Sequence, residues 1–70
     1  MKRDKRKNYL GECEVGDIIQ GSIYKCKLSV TKVTYDKYLF ANLYHCKYLE
    51  GRRKGEDEEI YDFYDYVKVT

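Results

Sequence analysis

Between Ser22 and Thr34 the chain reads SIYKCKLSVTKVT. Tyr24, Cys26, Leu28 and Val30 fall on one side of it, and Lys25, Lys27, Ser29 and Thr31 on the other. A period of two marks a half-buried strand, because successive side chains of an extended chain point to opposite faces. The pattern predicts a strand here and a hairpin turn at Tyr35-Asp36-Lys37, since aspartate tolerates turn dihedrals and bonds its own backbone. Tyr38 to Leu49, YLFANLYHCKYL, then returns antiparallel and is apolar on both faces. A helix is the competing reading of that run, but it holds few strong helix formers and four aromatics.

Upstream, Gly16-Asp17 reads as a turn and Ile18-Ile19 as the start of a first strand that ends at Gly21. Downstream, Gly51 to Gly55 (GRRKG) reads as a second hairpin loop and Glu59 to Phe63 as a strand. Tyr64-Asp65-Tyr66 then forms a tight turn, and VKVT a closing strand. Val, Ile, Thr, Tyr and Phe dominate the apolar positions, as strands require. The prediction is an all-β domain over residues 9–70, a small five-stranded barrel. Residues 1–8 carry KRDKRK with no apolar residue to anchor it, and are expected to form a flexible basic arm.

VGDIIQG, followed by strand, turn, strand and a terminal VKVT, resembles the small SH3-like barrels of bacterial and phage proteins. In those, a V-G-D turn opens the first core strand and a short 3₁₀ turn precedes the last. The resemblance spans residues 14–70 and implies an SH3-like barrel, with an OB-like barrel as the alternative. Signalling SH3 domains carry a Trp and a Pro in their peptide groove. This chain has neither, so binding of Pro-rich peptides is not implied. A short chain dense in Lys, Tyr, Ile, Asp and Glu is also similar to the accessory proteins of phages infecting AT-rich Firmicutes, a likeness of composition that names no target.

Size and charge narrow the function. A chain of 70 residues buries only about 60% of its unfolded surface, so its core is small. The net charge of +2 conceals an asymmetry. Residues 1–54 carry +7, whereas residues 55–70 carry −5. Such a division points to charged partners, either nucleic acid or protein. The basic start lacks the apolar run of a secretory signal, and three cysteines make no disulfide framework. A cytoplasmic, reduced protein with no membrane partner is expected.

Catalysis is not expected. The single histidine, His45, adjoins Cys46, and neighbours on a strand point to opposite faces, so the two form no nucleophile–base pair. Cys13, Cys26, His45 and Cys46 are ligand types suited to zinc, but no C-x₂₋₄-C pair exists. A hairpin turning about Asp36 places Cys26 opposite Cys46, where a pair of small buried apolar side chains is the ordinary use of free cysteine. Neither a metal nor a cofactor is expected.

Two binding readings remain. In the first, the acidic-tyrosine run offers Glu58, Tyr61, Asp62, Tyr64 and Asp65 to a basic surface on a host protein, which is thereby inhibited or redirected. In the second, the arm together with Lys25, Lys27, Arg52, Arg53 and Lys54 neutralises phosphates of single-stranded nucleic acid or RNA. Tyr35, Tyr38 and Tyr48 then stack on its bases. The acidic run has a plainer use too, as an internal counterweight to the basic strand. A homodimer joining the basic region of one copy to the acidic end of another fits either reading.

Overall fold

The computed structural model describes residues 10, 12–23 and 25–69. The basic arm at 1–8 and the Tyr24 position lie outside the described residues. Five antiparallel strands form one sheet: β1 (Ile18–Gly21), β2 (Lys27–Asp36), β3 (Ala41–Tyr48), β4 (Asp57–Tyr61) and β5 (Tyr66–Lys68). Their order is β4-β3-β2-β1-β5. The domain is all-β, and no helix occurs among the described residues. The aromatic run from Tyr38 is turn and then strand, as its β-forming composition requires.

The hairpin turn falls later than the sequence predicts. Asp36 pairs with Ala41 at the end of the ladder, and residues 37–40 make the turn. The cause is the aspartate itself. Its Oδ1 accepts the N–H groups of Tyr38 at 2.9 Å and Leu39 at 3.1 Å, which sets it at the mouth of the turn and not in the middle. A bulge adds a second correction. The register shifts between Val30 and Lys32, leaving Thr31 extra, with its hydroxyl on the His45 carbonyl at 3.0 Å. As a result Cys46 faces Val30, and Cys26 is not opposite it.

The fourth strand begins at Asp57 and ends at Tyr61, earlier at both ends than the predicted Glu59 to Phe63. The chain turns at once, with the Tyr64 N–H on the Tyr61 carbonyl at 3.0 Å. A turn at Tyr61–Tyr64 thus precedes the predicted one, and Tyr64-Asp65-Tyr66 is itself tightly turned, with the Tyr66 N–H on the Tyr64 carbonyl at 2.8 Å, before Tyr66 enters β5. This short connection forces the sheet to curl. Strands lie about 4.8 Å apart, so five laid flat would separate the outer two by about 19 Å. A tight turn spans less than about 7 Å, and the two remaining steps to Tyr66 add about as much again. Only a strongly coiled sheet lets β4 and β5 be joined this way. The hydrogen-bonded ladder itself stays open, with β4 and β5 at its two edges.

Inside the curl lie Leu10, Cys13, Ile19, Leu28, Val30, Tyr44, Cys46 and Ile60, with Tyr48 and Tyr66 packed against them. Tyr44 is wholly buried. Its hydroxyl accepts the Cys13 N–H at 3.0 Å, so a core side chain fastens the segment before β1 over the sheet. Burial holds the Tyr44 phenol above its ordinary pKa. Burial also raises the Cys46 thiol, to about 12, with Cys13 and Glu58 adding to the effect.

Candidate interaction surface

The acidic run divides into two parts with different uses. Its first half folds back on the basic side of the molecule. Arg53 donates to Glu56 at 2.9 Å and lies 3.1 Å from Glu58. Its guanidinium also covers the Tyr48 ring at 4.6 Å. Lys47 meets Asp57 at 2.8 Å. Glu59 lies 3.8 Å from His45 Nδ1, and the other ring nitrogen of His45 shares a hydrogen bond with Thr34 Oγ1 at 3.1 Å. Glu58, expected at the partner surface, is thus part of the Arg53 cluster. Register sets Lys47 opposite Asp57 and His45 opposite Glu59 across β3 and β4, while Arg53 reaches Glu56 and Glu58 from the loop between those strands.

The second half of the run is free of that cluster and carries the aromatic residues. Tyr61, on the outer face at the end of β4, stacks on Phe63 with ring centroids 5.2 Å apart and planes 9° from parallel. Tyr64 meets both rings edge-on, at 5.7 and 5.4 Å. Offset stacks and edge contacts are the favoured geometries of aromatic quadrupoles. Phe63 is nevertheless 46% exposed and Tyr64 39%. Asp62 accepts the Asn42 N–H at 3.0 Å, and its own N–H donates to the Asn42 carbonyl, which holds the turn against β3. Asp65 is exposed, while its carbonyl accepts from Ser22 N–H and Oγ. Tyr61, Asp62, Tyr64 and Asp65 therefore do lie together, on one turn anchored at both ends.

Phe63 was missed as a site residue, because the predicted strand ran through it and gave it no distinct place. At the hairpin turn Tyr38 is an expected surface ring, whereas Leu39 and Phe40 carry no expected role. Tyr38, Leu39 and Phe40 are all exposed, and Phe40 has a φ of 53°, a left-handed conformation that bulky side chains seldom adopt. Lys37 Nζ sits 5.9 Å from the centre of the Tyr38 ring. This turn adjoins the ring cluster through Asp36, whose Oδ2 accepts the Tyr61 hydroxyl at 2.8 Å. That bond, together with the Leu39 and Tyr38 N–H groups, holds the Asp36 carboxyl below the usual aspartate range.

The basic candidates gather at the opposite end of the long hairpin. The Leu49 N–H bonds the Lys27 carbonyl at 2.9 Å, and Glu50 accepts the Lys27 N–H at 3.1 Å. Gly51 packs so closely on Cys26 that a Cβ there would lie 2.6 Å from Sγ. Lys25, Lys27, Arg52 and Lys54 are thereby brought to one end, all exposed. Arg53 is exposed too, but its charge is already matched. Of the stacking tyrosines, Tyr35 and Tyr38 are exposed, whereas Tyr48 is packed on the core beneath Arg53.

His45 and Cys46 lie on opposite faces, the thiol in the core and the imidazole bonded to Thr34 on the other side. Among the described residues no three His, Cys, Asp or Glu side chains converge as metal ligands would. No helix of the described residues is long and apolar enough to cross a membrane. No family model matches the chain, and no curated protein or solved structure proved similar to it.

Proposed function

We propose that this protein is a non-enzymatic binding module that captures another protein by a basic surface. Its contact is the turn between β4 and β5, with Tyr61, Asp62, Phe63, Tyr64 and Asp65. The observation that carries this reading is the half-exposed cluster of three rings flanked by carboxylates. Aromatic side chains held by their neighbours lose little entropy on binding and anchor interfaces well. Acidic groups beside them favour Lys and Arg on the partner and steer its approach. A basic site covered in this way loses access to its own anionic ligand, so capture inhibits or redirects the partner. Phe40 supports the same end of the molecule, since an exposed ring in a costly backbone conformation is maintained against stability.

We infer that the coiled sheet is of the SH3-like kind. Four strands in a meander, with the fifth returned beside the first, support this assignment. The last strand is reached through tight turns and not the long connection of a Greek key, which favours it over the OB-like alternative. Nucleic-acid binding by Lys25, Lys27, Arg52 and Lys54 is the second reading, favoured by their common position at one end.

Capture from nuclease-treated lysate separates the two. Tyr64→Ala with Asp65→Lys should abolish recovery of a discrete protein, while Arg52→Ala with Lys54→Ala should leave it intact. The reverse pattern, with nuclease-sensitive recovery that falls steeply with salt, would transfer the function to the basic end.

A further inference from the structure

The long hairpin outgrows the sheet beside it. Strand β1 pairs with β2 only at Lys27, Leu28 and Ser29. One step further, Val30 still has partners on that side, giving its N–H to Asp17 and accepting from Gly16. From Lys32 to Asp36 the strand pairs with β3 on one side, and among the described residues no strand occupies the other. The backbone groups that face this open edge can be identified. In a strand of L-residues, the face a side chain takes fixes the side to which its N–H and C=O point. Val33 stands opposite the buried Tyr44, and so shares the inner face with Val30. Val33 and Tyr35 therefore aim their N–H and C=O groups at the open edge, as Val30 aims its own toward Asp17 and Gly16. Their side chains are also uncovered, 37% and 60% exposed.

We propose that this edge pairs with the same edge of a second copy of the chain, antiparallel and about a two-fold axis at Thr34. The segment Lys32-Val33-Thr34-Tyr35-Asp36 is complementary to its own reverse. About Thr34, Lys32 of each copy stands opposite Asp36 of the other, Val33 opposite Tyr35, and Thr34 opposite Thr34. Opposite charges, a β-branched residue against an aromatic, and paired threonines are all favourable cross-strand neighbours. The hydrogen bonds agree independently. Val33 and Tyr35, the residues that point outward, are the ones this register makes hydrogen-bonded partners, while Thr34 falls at the non-bonded position.

Other registers that respect the same outward groups lose the charge match. Centring the pair on Val33 sets Lys32 against Thr34, and centring it on Tyr35 sets Thr34 against Asp36. The paired length is bounded as well, because Asp17 already occupies the position beside Val30. An interface this short belongs to the small, weak class, so the dimer forms with concentration. It is isologous. It differs from a dimer that joins basic and acidic ends, and it leaves the ring cluster of each copy uncovered.

Sedimentation equilibrium of the full chain over a wide concentration range tests this, with far-UV circular dichroism as a check on folding. The apparent mass should rise from that of a monomer toward twice that value. Val33→Pro removes a donor that faces only the open edge, so it should leave the fold intact and the mass monomeric. Lys32→Glu sets two acids against each other at both ends of the pair and should do the same. In a Cys26→Ser background, Thr34→Cys should form a disulfide-linked dimer on mild oxidation. Non-bonded antiparallel partners have Cα atoms about 4.5 Å apart, within the reach of a disulfide. Lys32→Cys, whose two copies stand well apart in this register, should not cross-link. A chain that stays monomeric at millimolar concentration would overturn the proposal. So would a dimer that survives Val33→Pro, or one that cross-links through position 32 and not 34.

Discussion

Tyr61 and Asp36 join two turns that the sequence separates by 25 residues. The Tyr61 hydroxyl donates to Asp36 Oδ2 at 2.8 Å, while Oδ1 of the same carboxylate holds the Tyr38 and Leu39 N–H groups. One aspartate thus shapes the hairpin turn and positions the ring cluster beside it. The pair also couples the surface to pH. Hydrogen bonding lowers the Asp36 pKa, so the native state favours its ionised form. That contribution is present above the ordinary aspartate value, and is lost as pH falls through the lowered one. Tyr61→Phe removes the largest cause of the shift. The variant should be less stable than the parent at pH 7, with a smaller loss on acidification below about pH 4. Urea titrations at several pH values measure both, and parallel curves for the two proteins would show that the bond is not coupled to folding.

Phe40 makes an opposite kind of prediction. A non-glycine residue in the left-handed region costs about 1–2 kcal/mol, and its exposed ring recovers little of that by burial. Phe40→Gly should therefore raise stability by about 1 kcal/mol, less the added chain entropy of glycine. A full 1 kcal/mol would raise the midpoint of thermal unfolding of a domain this size by about 4–8 °C, so the expected rise is smaller than that. If the ring belongs to the partner surface, affinity falls in the same variant. A calorimetric scan that shows destabilisation would mean that the ring has a structural role.

Gly51 and Gly55 close the same loop with nearly equal φ angles, +84° and +88°. Their surroundings differ. A Cβ at Gly55 meets nothing within 4 Å, while one at Gly51 meets Cys26 Sγ at 2.6 Å. Gly55→Ala should cost about 1 kcal/mol from backbone strain alone, and Gly51→Ala about 1–3 kcal/mol more. Adding Cys26→Ala removes the sulfur and should bring the cost at 51 down to that at 55. A double-mutant cycle in denaturant would show no coupling if this contact were slack.

The three thiols should separate by reactivity. Cys26 is only half-buried, whereas Cys13 and Cys46 lie in the core. Burial raises both core thiols, Cys46 to about 12, and the thiolate is the reactive form. A thiol reagent at pH 8 should modify Cys26 first and the other two only on unfolding. The sign of the pH effect is opposite to that of Asp36. The unfolded chain ionises near 9.0 while folded Cys46 stays protonated. Stability from this group is therefore complete below pH 9 and declines as pH rises toward 12. Mass spectrometry of the labelled native protein checks the order, and early modification of Cys46 would contradict its burial.

Much of the fold was legible in the chain because strands follow a local rule. Leu28 and Val30 are buried and Lys27 is exposed, as the alternation from Ser22 to Thr34 requires. The GRRKG loop and the first strand at Ile18 also fall where glycines and β-branched residues place them. Register was not legible in the same way. It depends on which residue of Tyr35-Asp36-Lys37 closes the turn, and on one extra residue at Thr31. The ladder turns between Asp36 and Ala41 and not about Asp36 itself, and the extra Thr31 then takes back one position, so Cys46 stands opposite Val30, four residues from Cys26.

The candidate surface divides along the same line. That acids open the run at Glu56 and then mix with aromatics as far as Tyr66 is readable from the chain alone, since composition and order belong to it. Which of them remain available depends on how the strands are brought together. Glu56 and Glu58 share the single charge of Arg53, and Asp57 pairs with Lys47, because those side chains approach through the β3–β4 loop and ladder. Asp65, Phe63 and Tyr64 escape because the chain turns away from the ladder after Tyr61. The open edge at Val33 and Tyr35 has the same origin. It exists because β1 is shorter than β2, and a strand's neighbour is set by the packing of the whole sheet and not by its own sequence.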